Sequence, residues 1–377
     1  MSKLPMLLST QGSGRMRRMR ALSVVTLAAA SLILAGCSGG PAPGPDTTAA
    51  PTPGSGTDPV KAELNALYEA AKASGNTSAY VAGPPGAIDD RIVGVFKKAY
   101  PEIDVKLDFA FGAPLQQKME GEFATGNAET DVVFGASDIK IFADKGYLEE
   151  YRPASQKGLD DEFIESVWAN PMMPLYGPVY NTGQLKAADA PVTYADMVNP
   201  NYAGKIGTGN PTIASSSSYA IGIPLTKGII DKKWVTAFAA LSPRVFPNQT
   251  AAVQDTVNGT TPILWNTSYT NYLAAKADGA QLEFVPLKEG VFGNPLPFAL
   301  VKGGPNADAA KLFLAWLYTP DAQTALAEFG IQGTMPDSPR PKGLGNSPYI
   351  YVPNSELLSL VNDPAGFLTT IKTAFGK

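Results

Sequence analysis

Short apolar strand patterns alternate with amphipathic helix patterns from about residue 78 onward, and this alternation constrains the fold more than any single motif. Residues 78–81 read as a strand, followed by Gly83-Pro84-Pro85-Gly86. Ile88, Ile92, Val95, Phe96 and Ala99 share one face of a helix predicted over 87–100, which Pro101 stops. Residues 104–109 alternate as a strand with Val105, Leu107 and Phe109 on one face; 113–125 reads as a helix, 131–134 as a buried strand, and 139–145 as a helix ending at Gly146. Strands separated by helix-length crossovers pair in parallel with right-handed connections, so the expected class is α/β. A further helix over 61–73, spaced by Leu64, Leu67, Tyr68 and Ala71, precedes this series.

A second region begins near Pro178-Val179-Tyr180-Asn181. A helix start is expected at 191–196, a strand start at 204–206, and a polar loop over 210–218 that opens a helix reaching Gly228. Helices follow at 232–241, 251–257 and 268–277, with strands at 262–265 and 281–285. Residues 296–302 form a strong strand pattern. Helices are expected at 307–318 and 320–329, the latter opened by Pro320, and a last one at 364–375.

Residue types narrow the chemistry. The chain has no His and one Cys. This excludes Ser-His-Asp and Cys-His nucleophile systems, His-ligated zinc, an intrachain disulfide and all-Cys metal sites. No catalytic residue, metal site or cofactor is expected. Carboxylate-dependent hydrolysis and plain binding remain.

The N-terminus indicates location. Lys3, Arg15, Arg17, Arg18 and Arg20 precede fifteen uncharged residues, 21–35, and then Gly36-Cys37. A basic segment, a short apolar run and small residues form the pattern of a secretory signal, too short to span a bilayer comfortably. The single Cys, directly after the small-residue pair, resembles the lipobox of bacterial lipoproteins. That resemblance implies cleavage after residue 36 and lipidation of Cys37, anchoring the chain to the membrane. Residues 1–36 carry five basic residues and no acidic one, so their removal takes the formal charge from −4 to −9. Such a chain is unsuited to nucleic acid. Residues 37–59, rich in Gly, Pro, Ser and Thr, cannot bury a core and read as a tether.

Several short segments occur in a shared order: 98–105 (KAYPEIDV), 130–137 (TDVVFGAS), 146–151 (GYLEEY), 180–182 (YNT), 199–206 (NPNYAGKI), 300–306 (LVKGGPN) and 319–323 (TPDAQ). Over about residues 75–335 the chain resembles the extracellular solute-binding proteins of ABC importers, in the branch containing iron(III), thiamine, polyamine and aminoethylphosphonate binders. The resemblance implies a two-lobe periplasmic binding protein type II fold with a hinge. Residues 60–178 and a returning part, 291–377 with the C-terminal helices, would form one lobe, and 179–290 the other. It also implies a monomer that captures a small-molecule solute and delivers it to a membrane permease driven by an ATPase.

Ligands of open α/β sheets lie beyond the carboxyl ends of strands, near helix starts. Four segments fit that rule. They are Gly83, Pro84, Gly86 and Ala87; Gly135 and Ser137; Ser215, Ser216 and Ser217; and Trp265, Asn266 and Tyr269. Tyr180 and Asn181 fall where the chain should first cross between lobes. The serines at a helix start favour an anionic or zwitterionic solute. Ferric-iron binders of the branch commonly use adjacent tyrosines at the fourth segment. Here that pair reads Tyr269-Thr270, which weakens the iron alternative, while the acidic charge keeps a polyamine or thiamine open. A cell-surface glycosidase or lyase working through carboxylates is the alternative of another class; it needs two carboxyls in one cleft.

Overall fold

The computed structural model describes residues 58–86, 88–363 and 365–376. The signal-like segment, Cys37 and the tether up to residue 57, together with Ala87, lie outside the described residues.

Helix α1 (Pro59–Ser74) is capped by the Asp58 carboxylate, which accepts from the Val60 N–H at 3.0 Å. Then come β1 (Ser78–Gly83), α2 (Asp90–Ala99), β2 (Asp104–Phe109), α3 (Ala113–Thr125), β3 (Val132–Phe134), α4 (Ala136–Asp144) and β4 (Leu148–Glu149). Strands β2 and β3 flank β1, both parallel to it, as the alternation predicts. Helix α2 starts at Asp90 rather than 87, because the Asp89 side chain caps it. Phe109 does not join Val105 and Leu107 against the core and is 49% exposed, since β2 is the sheet's edge.

The 13-residue strand β5 (Ala169–Asn181) belongs to both lobes. Its first half pairs with β11 (Leu296–Val301) and β12 (Ile331–Gly333). Its second half pairs with β8 (Ile263–Ser268), β9 (Leu282–Phe284) and β10 (Val291–Gly293). Between β5 and β9 the chain forms β6 (Ile206–Gly209), α5 (Ser216–Thr226), α6 (Lys232–Ala240), β7 (Arg244–Phe246), α7 (Gln249–Val257) and, after β8, α8 (Tyr269–Ala277). The helix start expected at 191–196 is only a 3-10 turn at Asp196–Val198. The strand order is β2-β1-β3-β11-β5-β8-β6-β7. This is a two-lobe α/β fold whose lobes are joined through β5 and the β10–β11 return.

After β11 come α9 (Ala307–Trp316), α10 (Pro320–Glu328), β12, β13 (Tyr349–Ile350), α11 (Asn354–Asn362) and α12 (Phe367–Ala374). The first lobe's main core sets Phe96 against Phe313 and Trp316, with ring centroids 5.3 Å apart in both pairs. The second lobe's core centres on Trp234, Phe238 and Trp265, and α12 adds Phe367 and Ile371 to it. The C-terminal helix therefore packs on the second lobe.

Buried Asp131 staples the first lobe. Its carboxylate accepts from the Tyr80 N–H at 2.9 Å, the Asn306 N–H at 2.8 Å and the Asn306 side-chain amide at 3.0 Å. Replacing Asp131 with Ala strands those donors in the interior. The expected loss is about 2–3 kcal/mol of stability, read from the urea midpoint.

Candidate solute-binding cleft

A cavity of about 430 Å³ opens between the lobes. Pro84, Pro85, Gly86 and Phe111 line it from the first lobe, and Pro174, Tyr176, Asn294 and Leu296 form its floor where the chain crosses. The second lobe contributes Ala214, Ser215, Ser216 and Tyr219, then Asn248, Gln249 and Thr250, then Ser268 and Asn271. Among these described residues none is charged.

The second-lobe wall consists of three helix starts. Ser215 caps α5 in a reciprocal box with Ser218, and its hydroxyl donates to the Asn210 carbonyl at 3.0 Å. Asn248 caps α7, accepting from the Ala251 N–H at 2.9 Å. Ser268 caps α8, accepting from the Asn271 N–H at 3.1 Å. Gln249 ties them together. Its amide nitrogen donates to the Ser216 hydroxyl at 2.9 Å, and its oxygen accepts from the Ser268 N–H at 3.3 Å and the Asn271 amide at 3.4 Å. Each helix start carries about half a positive elementary charge. Three on one wall form a neutral-residue surface suited to negative charge.

The sequence-predicted residues divide. Pro84, Gly86, Ser215 and Ser216 line the cavity. Gly83 and Gly135 stand behind that turn. A Cβ on Gly83 would fall 2.5 Å from the Phe134 ring, and Gly135, at φ 123°, packs against the Pro84 ring. Ser217 is buried and faces Gly209, so its hydroxyl points away from the cleft. Ser137 lies in the first turn of α4; its side chain is outside the described residues.

Trp265 is 2% exposed in the second-lobe core, against Tyr194, Trp234 and Phe238, and is absent from the cleft lining. Asn266, also buried, lines with Trp265 a separate cavity of about 10 Å³. Tyr269 packs on Tyr272 and Phe284, and its hydroxyl donates to the Lys342 carbonyl at 2.5 Å. Burial raises that phenol to about 12. Asn181 pins the turn after β5 by donating to the Thr256 carbonyl at 2.9 Å, and Tyr180 is buried in the ladder between β8 and β9. None of these five lines the cleft.

Phe111, Tyr176, Tyr219, Asn248, Gln249, Asn271 and Asn294 were missed by sequence reasoning. The Asn248-Gln249-Thr250 run before a helix was the available signal. Tyr176 sits on the cleft floor, and burial raises its phenol to about 12; Tyr219 is raised equally, by burial first and the Asp138 charge second.

The model of the bacterial extracellular solute-binding protein family matches residues 92–344, and the chain belongs to that family. It is the extracytoplasmic solute-binding component of an ABC transporter, which implies a small-molecule solute and a permease partner; it is not an enzyme. A probable ABC transporter periplasmic-binding protein of Sinorhizobium fredii is 22% identical over 273 residues, covering 68% of this chain and 73% of the relative. The substrate-binding protein of an ABC transporter from Agrobacterium tumefaciens has the same fold. Its TM-score is 0.67 at 15% identity, covering 79% of this chain and 94% of that one. Iron-bound HitA from Pseudomonas aeruginosa matches at TM-score 0.60 and 18% identity, covering 76% and 99%.

Proposed function

We propose that this protein captures a small organic anion or zwitterion between its lobes and, tethered to the membrane through lipidated Cys37, delivers it to the permease and ATPase of an importer. The observation that carries the solute class is the wall of three helix starts around a cavity without a charged side chain. Lobe closure would exclude water and strengthen those N–H interactions.

An iron-bound relative of the same fold makes ferric iron the competing solute. The donor set argues against it. No group of three His, Cys, Asp or Glu fit for a metal occurs among the described residues, and Tyr269 is committed to the core. Tyr176 and Tyr219 hold their protons more tightly than ordinary phenols. A polyamine would find no carboxylate in the lining, and a glycosidase would find no carboxyl pair there.

Thermal denaturation with a panel of carboxylates, phosphonates and amino acids tests this. A true solute at a hundred times its Kd adds about 2.7 kcal/mol of stability, seen as a raised Tm. A rise with ferric ion or polyamines, and with no organic anion, would reject the proposal.

A further inference from the structure

The two walls of the cleft differ in kind. The second lobe presents hydroxyls, amides and helix N–H groups. The first lobe presents Pro84, Pro85 and Phe111, and the floor adds Pro174 and Leu296. Phe111 is 58% exposed, more than any other large apolar side chain among the described residues. It is not loosely placed. The neighbouring Gly112 N–H donates at 2.8 Å to Asp138, a 3%-exposed carboxylate that also accepts from the Gln116 side chain at 2.8 Å. The fold thus holds a bare aromatic ring at the cleft, opposite a wall of donors. Ile213, 55% exposed, stands next to cavity-lining Ala214 on the facing lip. A single ion or a fully polar solute gives these apolar surfaces nothing to cover. The cavity also lies in the size range, roughly 300–1,000 Å³, that encloses organic ligands.

We infer that the solute is amphiphilic: its anionic or zwitterionic head sits on the α5, α7 and α8 starts, and its apolar or aromatic body lies against Pro84, Pro85 and Phe111. This rests on the anion reading above and specifies it. Phe111 is then a specificity-determining residue, selecting the body and indifferent to the head.

Calorimetric titration of the full-length protein with two matched pairs tests this: methylphosphonate with phenylphosphonate, and acetate with phenylacetate. Within the pair whose head is accepted, the phenyl member should bind about tenfold or more tighter, as burial of a ring against apolar surface predicts. In Phe111→Ala that preference should fall to about twofold or less, the phenyl member losing more affinity than the small one, with the Tm unchanged. Unaltered preference in the variant, or equal binding of both members by the wild type, would overturn the inference while leaving the anion reading intact. If neither member of either pair bound, both would fall.

Discussion

Replacing Ser216 with Asp should weaken solute binding about a hundredfold while leaving the fold as stable or slightly more so. Ser216 is the first residue of α5, lines the cleft and accepts from Gln249 at 2.9 Å. A carboxylate there meets the positive end of the helix, worth about 0.3–1 kcal/mol of stabilisation. The same charge opposes an anionic head. At about 4 Å and an effective dielectric near 20, like charges repel by about 4 kcal/mol, and partial screening leaves at least half of that. Opposite movements of Tm and affinity separate this from a simple folding defect. Ser216→Asn, neutral and similar in size, should bind within about tenfold of wild type. A cationic solute would instead bind the Asp variant more tightly.

Trp265→Ala should have the reverse profile. Its ring lies 5.3 Å from Phe238, 5.5 Å from Trp234 and 5.7 Å from Tyr194, closing the second-lobe core. Removing a fully buried Trp costs about 3–5 kcal/mol, the lost transfer energy plus the cavity left behind. The denaturant midpoint should fall accordingly. Affinity at low temperature, where the variant stays folded, should remain within about twofold, because the ring does not line the cleft. A large affinity loss without destabilisation would return Trp265 to the binding site.

These variants also mark how far the sequence could be read. Strand β2 and helix α3 were legible to the residue, since 104–109 alternate strictly and Gly126 stops the helix in a left-handed turn. Strand β5 was not, although it joins the lobes. Pro171, Pro174, Gly177 and Pro178 break its pattern, and a proline-rich stretch argues against a central strand. In the structure the carbonyl of each of these prolines is paired. Pro171 accepts from Thr334 at 3.3 Å, Pro174 from Asn294 at 3.0 Å and Pro178 from Val285 at 2.8 Å.

The rule of helix starts beyond strand ends located the Pro84–Gly86 turn and the α5 serines. It passed over Asn248 and Gln249, because β7 before them is three residues long and largely exposed. It also drew in Trp265 and Tyr269, whose aromatic surface serves the core equally well. Composition alone does not separate a buried ring from a ligand-facing one. The contacts of Trp265 with Tyr194, Trp234 and Phe238, and of Tyr269 with Tyr272 and Phe284, decide it here.

Mass spectrometry of the solute released from protein purified without denaturation, with elemental analysis of the same sample, tests the central claim most directly. The expected result is a stoichiometric organic anion or zwitterion with an apolar body, and no stoichiometric iron. Stoichiometric ferric iron, or a polyamine or other cation, would contradict it.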